Sequence, residues 1–134
     1  MDDATRELVR RRAAHRCEYC GILQDHIAAR LHVEHVIARQ HQGTDEPSNL
    51  ALSCDRCNAY KGTNLSAIDS VTGTMVALFH PRLDKWHVHF ALESGRIIGR
   101  TERGRATARL LQMNAQHRVQ LRLELGRSAA PPLE

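Results

Sequence analysis

The sequence has few aromatic residues, few lysines and no long hydrophobic run. Aromatic residues make up 4% of the 134 residues, so a core would consist mainly of Leu, Val, Ile and Ala. A single domain of this length can fold on its own, but so modest a core leaves room for another source of stability. Because no stretch of about eighteen apolar residues is present, we expect no membrane span and no membrane partner.

The first residues of the sequence lack the basic start and the apolar stretch of a secretory signal. We therefore expect a cytoplasmic protein whose thiols are kept reduced. Under reducing conditions, paired cysteines are more often metal ligands than disulfides.

All four cysteines lie in two C-x-x-C pairs, Cys17 with Cys20 and Cys54 with Cys57. Two such turns aim four sulfur atoms at one ion, which is the tetrahedral arrangement that structural Zn²⁺ prefers. Two disulfides and a redox motif are the alternatives. The expected compartment argues against the first, and the missing βαβ pattern argues against the second. A closed Cys₄ site is structural, and the bound zinc would add directly to the folding free energy.

The net charge is +4 at pH 7, and seventeen of the nineteen basic residues are arginine. Arginine stays charged and binds phosphate through two parallel hydrogen bonds, so an arginine-rich surface suits a polyanionic partner. The alternative is a basic surface whose charges are simply solvated.

Hydrophobic patterning predicts a mixture of short helices and strands. Helices are expected over residues 4–15, over 55–61, from Thr101 towards Met113, and over 119–125. Strict alternation leaves a strand as the alternative for 119–125. Strands are expected over 31–37, 50–53, 86–92 and 96–99, with a tight turn at 93–95 and a turn leading into a strand at 69–75. The tail after Gly126 holds two prolines and is expected to fray.

The segment between the cysteine pairs carries polar residues in a particular order. Glu34 and His35 come first, Asn49 follows, Asn58 comes just after the last cysteine, and Lys61 lies three residues further on. Over about residues 16–65 this pattern resembles the HNH endonuclease family, in its version with two C-x-x-C pairs.

The resemblance implies an α+β fold with a ββα-metal core, in which two antiparallel strands, a loop and a short helix surround one divalent ion. Residues 1–66 would form the HNH nuclease core together with the N-terminal helix and the Cys₄ zinc site. Residues 67–134 would form a β-hairpin and helical extension packed on the same single domain.

The resemblance also implies metal-dependent hydrolysis of DNA phosphodiester bonds. Glu34 and Asn58 would bind the catalytic ion, His35 would be the general base, Asn49 would hold the loop so that the His35 ring stays aimed, and Lys61 would lie near a phosphate. The chemistry of these residue types agrees, because histidine accepts protons near neutral pH and oxygen ligands suit Mg²⁺ or Mn²⁺.

Two features of the expected first strand bear on the site. Glu34 and His35 are neighbours, and neighbours on a regular strand point to opposite faces. Either the strand twists or ends there, or the two residues serve the site from slightly different directions. His32 shares a face with Glu34 and is a further candidate for a metal or phosphate contact.

Candidate phosphate contacts flank the HNH-like segment or lie in the basic stretch that follows residue 95, where few acidic residues adjoin in sequence. They are Arg39, Arg56, Lys61, Arg100, Arg103 and Arg105. The arginines at positions 10, 11, 12 and 16 form a third cluster, which a solvated helix face explains equally well. The low aromatic content argues against base stacking on single strands, so we expect duplex DNA bound with little sequence specificity.

Two other kinds of function remain open at this point. A catalytically inactive zinc-stabilised nucleic-acid-binding module would need the cysteine pairs and the arginines, but not the ordered polar residues. A structural interaction protein with the same zinc site is a third reading, which the basic charge disfavours. No oligomeric state is predicted.

Overall fold

The computed structural model describes residues 1–126, in which five helices and three two-stranded antiparallel sheets alternate along the chain. The helices are α1 (Asp3–Arg12), α2 (Asp55–Lys61), α3 (Trp86–His89), α4 (Glu102–Leu110) and α5 (Gln116–Leu125). The strands are β1 (His32–His35), β2 (Leu50–Ser53), β3 (Ser66–Ile68), β4 (Met75–Ala77), β5 (Phe90–Glu93) and β6 (Arg96–Gly99). The tail that was expected to fray lies outside the described residues. Within residues 1–126, no helix has the length and apolarity to cross a membrane.

The ββα unit that the sequence predicts is formed by β1, β2 and α2. β1 and β2 pair antiparallel, with His35 opposite Leu50, and every residue of β2 is buried. Cys54 then caps α2 because its Sγ accepts a hydrogen bond from the Cys57 backbone N–H. Gly62 ends the helix with a φ of +52°, a left-handed conformation that favours glycine. The α+β fold class is therefore confirmed, together with a four-cysteine cluster that can hold zinc.

Helix α1 is tied to this unit by its own arginines. Arg10 donates a hydrogen bond to the Leu31 carbonyl at 2.9 Å, and Arg12 donates to the Leu50 carbonyl at 2.6 Å. Val9 packs into the core without solvent exposure. Arg10 and Arg12 therefore attach the helix to the ββα unit through hydrogen bonds. This role differs from the two that the sequence left open, a solvated helix face and a phosphate contact.

The segment 86–92 corrects one prediction, because only its second half is a strand. Trp86 and Phe90, four residues apart, are both buried and their ring centroids lie 5.1 Å apart, while Val88 between them is 54% exposed. This spacing belongs to the one-turn helix α3, after which β5 begins. The tight turn and the returning strand β6 are confirmed, with Glu93 paired opposite Arg96.

The C-terminal elements pack on the ββα unit through the few aromatic residues of the chain. Phe79 contacts Tyr19 edge-to-face at 6.3 Å and Phe90 at 5.2 Å, measured between ring centroids. Trp86 adds a hydrogen bond from its Nε1 to the Tyr19 carbonyl at 2.7 Å. One core cluster thus contains residues from both halves of the described chain.

Candidate functional site

The four cysteines form a buried cluster at the junction of the two halves. Their Sγ atoms all lie within 4.8 Å of one another, and the Cys20 and Cys54 sulfurs are 3.7 Å apart. A tetrahedral zinc site with Zn–S bonds of about 2.3 Å places its sulfurs about 3.8 Å apart. The donor set and its spacing therefore fit a structural Zn²⁺ ion.

Arg118 of α5 lies against this cluster, and no local pattern in the sequence predicts this position. Its Nη2 lies 3.0 Å from the Cys57 Sγ, and its Nη1 donates to the Leu111 carbonyl at 2.8 Å. Burial alone would lower the pKa of Arg118, but the negative charge of Cys57 and Cys20 outweighs that effect and raises the pKa. A buried guanidinium so placed offsets part of the negative charge of a four-thiolate site.

A second group of polar side chains meets where β1 ends. Glu34, His35 and Asn58 line one open cleft of about 360 Å³, together with residues of the loop after β1. Glu34 and His35 both lie in β1, paired in register with Ala51 and Leu50 of β2, and His35 is the last residue of the strand. The two residues therefore reach one cleft from neighbouring strand positions.

Glu34 is buried and incompletely paired. It is 8% exposed, and within the described chain its Oε1 has no hydrogen-bond partner. Burial raises the pKa of Glu34, and the nearby charge of Lys61 and the hydroxyl of Tyr19 oppose that rise. An unpartnered carboxylate oxygen at a cleft, with the amide of Asn58 on the same cleft, fits a hard divalent cation such as Mg²⁺ or Mn²⁺.

His35 has a carboxylate partner that the sequence did not reveal. Its Nε2 lies 2.7 Å from Oδ1 of Asp45, and this hydrogen bond, with the charge of Arg39, lowers the pKa of Asp45. The Nη2 of Arg39 lies 2.8 and 2.9 Å from the two Asp45 oxygens, and the Met1 amino group lies 3.7 Å from Oδ2. Asp45 lies ten positions after His35 in the sequence, and nothing in this spacing predicts the contact.

Asn49 connects the two ends of the same loop. Its Oδ1 accepts from the Ile37 backbone N–H at 2.9 Å. Its Nδ2 donates to the Ile37 carbonyl at 3.0 Å and to the Thr44 carbonyl at 2.8 Å. These three bonds fix the course of the loop that begins just after His35.

Residues 17–64 match the family model described as HNH endonuclease. This range includes both cysteine pairs and every residue that lines the cleft at the end of β1. Over this segment the chain is similar to the HNH endonuclease family. The match indicates a nuclease-type or nucleic-acid-binding function. No curated protein and no solved structure matches the chain.

Two residues of the HNH segment lie differently from what the sequence predicted. Lys61 is 2% exposed, and its Nζ donates to the Val36 carbonyl at 2.8 Å, so an internal bond takes the place of the expected phosphate contact. Burial lowers the pKa of Lys61, and the charge of Glu34 opposes that change. His32 is exposed, pairs in register with Ser53, and does not line the cleft that holds Glu34.

The arginines predicted to contact phosphate differ in their surroundings. Arg56 is exposed on α2 but does not line the cleft, and Arg39 is exposed at the cleft, where Asp45 is its partner. Outside the HNH segment, Arg100 donates to the His87 carbonyl at 2.9 Å.

The last basic stretch was expected to lack acidic partners, and this expectation is wrong for two of its arginines. Arg103 binds both carboxylate oxygens of Asp84 at 2.9 Å, and Arg105 binds those of Asp69 at 2.8 and 2.9 Å. The acidic partners lie 19 and 36 residues earlier, so the local sequence does not show them.

Proposed function

We propose that this protein is a metal-dependent endonuclease, a phosphodiester hydrolase that cuts DNA. One observation carries the proposal, namely that Glu34, His35 and Asn58 line the same cleft at the end of β1. Hydrolysis of a phosphodiester needs a base for the attacking water and neutralisation of charge on the phosphoryl oxygens. The cleft offers residues for both tasks.

Glu34 and Asn58 would hold the catalytic Mg²⁺ or Mn²⁺ through oxygen atoms. The buried Oε1 of Glu34 supports this role, since it has no hydrogen bond of good geometry although the Tyr19 hydroxyl lies nearby, and a cation would satisfy it. When bound, the ion would act as a Lewis acid and stabilise the leaving oxygen. The zinc in the Cys₄ site would have no part in the reaction, because all four of its positions are filled by protein.

His35 would take the proton from the attacking water. It is half-buried at the cleft, and histidine is the side chain suited to proton transfer near neutral pH. Asn49 would act as a positioning residue, since its three hydrogen bonds hold the loop that faces the His35 ring.

The substrate would be duplex DNA bound through its phosphates with little sequence specificity. Arg39 is an exposed cation at the cleft itself, and Arg56 is an exposed cation on α2, the helix that carries Asn58. We also propose that the core and its extension act as one domain, since the shared core cluster leaves neither half with an interior of its own.

The test is cleavage of a supercoiled plasmid by zinc-loaded wild type and by Glu34→Gln, with Mg²⁺, Mn²⁺ or EDTA. We expect cleavage by the wild type with either ion, none with EDTA, and a loss of about 100-fold or more in the variant, because a ligand of the ion is weakened. Glu93→Gln removes an equal charge from an exposed hairpin position and should cut like the wild type.

Two results would contradict the proposal. The first is a folded, zinc-loaded wild type that binds the plasmid and cuts it under none of these ions, which would favour the catalytically inactive nucleic-acid-binding module. The second is full cleavage by Glu34→Gln, which would remove the proposed ion site.

A further inference from the structure

The loop between β1 and β2 is closed tightly beside the proposed base. The Gly43 N–H donates to the Ala38 carbonyl at 3.0 Å, and a side chain at Gly43 would overlap the Ile37 carbonyl. Asn49 bonds to both Ile37 and Thr44, the residue just before Asp45. Asp45 is therefore held at a fixed place by the backbone around it, although its side chain is exposed at a fraction of 41%.

The carboxylate of Asp45 is also fixed in its rotation. The Nη2 of Arg39 lies within 2.9 Å of both oxygens, and Oδ1 receives the His35 Nε2 at 2.7 Å. An ionised carboxylate can only accept hydrogen bonds, so a neutral imidazole facing it must carry its hydrogen on Nε2. The other ring nitrogen, Nδ1, is then left with a free lone pair.

We propose that Asp45 is a positioning residue for the cleavage reaction, which selects the Nε2–H tautomer of His35 and leaves Nδ1 as the atom that accepts the proton from water. The inference rests on the proposed function and adds a residue that the ordered polar pattern of the sequence does not contain. The proton balance is simple: water gives one proton to Nδ1, and Nε2 keeps its own in the bond to Asp45. A hydrogen bond of this kind also keeps the ring from rotating out of line.

Nitrogen-15 spectra of the His35 imidazole give the most direct test, because they report the tautomer without any cleavage. They would be recorded at a pH of about 8.5, well above the ordinary histidine pKa of about 6.5, and assigned by comparison with His35→Gln. We expect the Nε2–H tautomer in the wild type and a mixture in Asp45→Ala. An Nδ1–H tautomer in the wild type, or an unchanged tautomer in the variant, would overturn the inference.

Cleavage kinetics give the second test. Asp45→Ala should lower kcat by about 10- to 100-fold, the usual effect of removing a residue that orients a reacting group, with KM unchanged or lower because Arg39 is released. Glu46→Ala is the matched control, an exposed neighbouring carboxylate without a contact to His35 among the described residues. Equal kcat for Asp45→Ala and the wild type would contradict the role. If the wild type cuts no DNA, the proposed function fails, and the spectra alone decide the tautomer.

Discussion

Lys61 and Asn49 hold the residues that follow β1 from two sides. Lys61 donates from α2 to the Val36 carbonyl. Asn49, just before β2, bonds to both the N–H and the carbonyl of Ile37. Val36 itself donates to the Asn49 carbonyl at 2.8 Å. The backbone just beyond His35 is therefore bonded on three sides, which gives the proposed base a rigid support.

Lys61→Met tests whether this lysine is internal. The substitution keeps an unbranched side chain of similar length but removes the donor to Val36 and the positive charge near the buried Glu34. We expect the free energy of unfolding to fall by about 1–3 kcal/mol, as for a buried acceptor left unpaired, measured by urea denaturation.

The second lysine of the chain supplies the control. Lys85 is exposed, so Lys85→Met should leave the free energy of unfolding unchanged. A stable Lys61→Met protein whose DNA affinity depends less on salt would instead return Lys61 to a phosphate contact.

Local patterns in the sequence were sufficient to predict the helices and turns that have clear end signals. Gly62 marks the end of α2, Gly95 marks the turn before β6, and the good helix formers of 116–125 make α5 a helix despite their alternation. The one-turn helix α3 could not be predicted, because four residues are too few for a helical period and Trp86 is placed by its contact with Tyr19. Strand β3 was missed for the same reason, as it has three residues and pairs only with β4.

Helix α5 matters for the metal centre as well as for the fold. Arg118 links the Cys57 sulfur to the Leu111 carbonyl at the end of α4, and Arg122 links the Gly95 carbonyl to the Met113 carbonyl. Arg118 thus brings the C-terminal half against the cysteine cluster of the HNH segment. Its position could not be inferred from spacing, because its contacts with the Cys54 and Cys57 sulfurs span 64 and 61 residues of sequence.

Arg118→Met should weaken zinc binding by about 10- to 100-fold, the usual effect of removing a hydrogen bond to a ligand. The expected change follows from losing a buried positive charge next to a site with four negative sulfurs. Competition with a chromogenic chelator measures the zinc affinity directly. Arg109→Met, an exposed arginine of α4, should keep the affinity of the wild type, and equal affinities for all three proteins would contradict the role of Arg118.

Across the described residues, more arginines form internal hydrogen bonds and ion pairs than the sequence indicates. Several donate to backbone carbonyls or pair with acidic residues far away in sequence, namely Arg10, Arg12, Arg100, Arg103, Arg105, Arg118 and Arg122. Net charge predicted a polyanion-binding surface, but charge alone does not distinguish a surface arginine from one that bonds the chain together. The exposed positive charge next to the cleft is therefore concentrated in fewer residues than expected.

The family pattern predicted which residues meet at the cleft, whereas composition did not predict which arginines lie on the surface. Glu34, His35 and Asn58 come together as the resemblance implied, whereas Asp45 and Arg118 depend on the course of the loop and of α5. Residues within a short motif share one local geometry, and residues brought in by tertiary packing do not leave a local signal.

The role of His35 is tested by comparing nicking of supercoiled plasmid by wild type and His35→Ala, both zinc-loaded, at equal Mg²⁺. We expect a wild type that cuts and a folded variant that binds the plasmid but cuts at least about 100-fold more slowly, because the general base is absent. His41→Ala, an exposed histidine on the same loop that does not line the cleft, should cut like the wild type. Equal cleavage by His35→Ala and the wild type would contradict the proposed role of His35 as the general base.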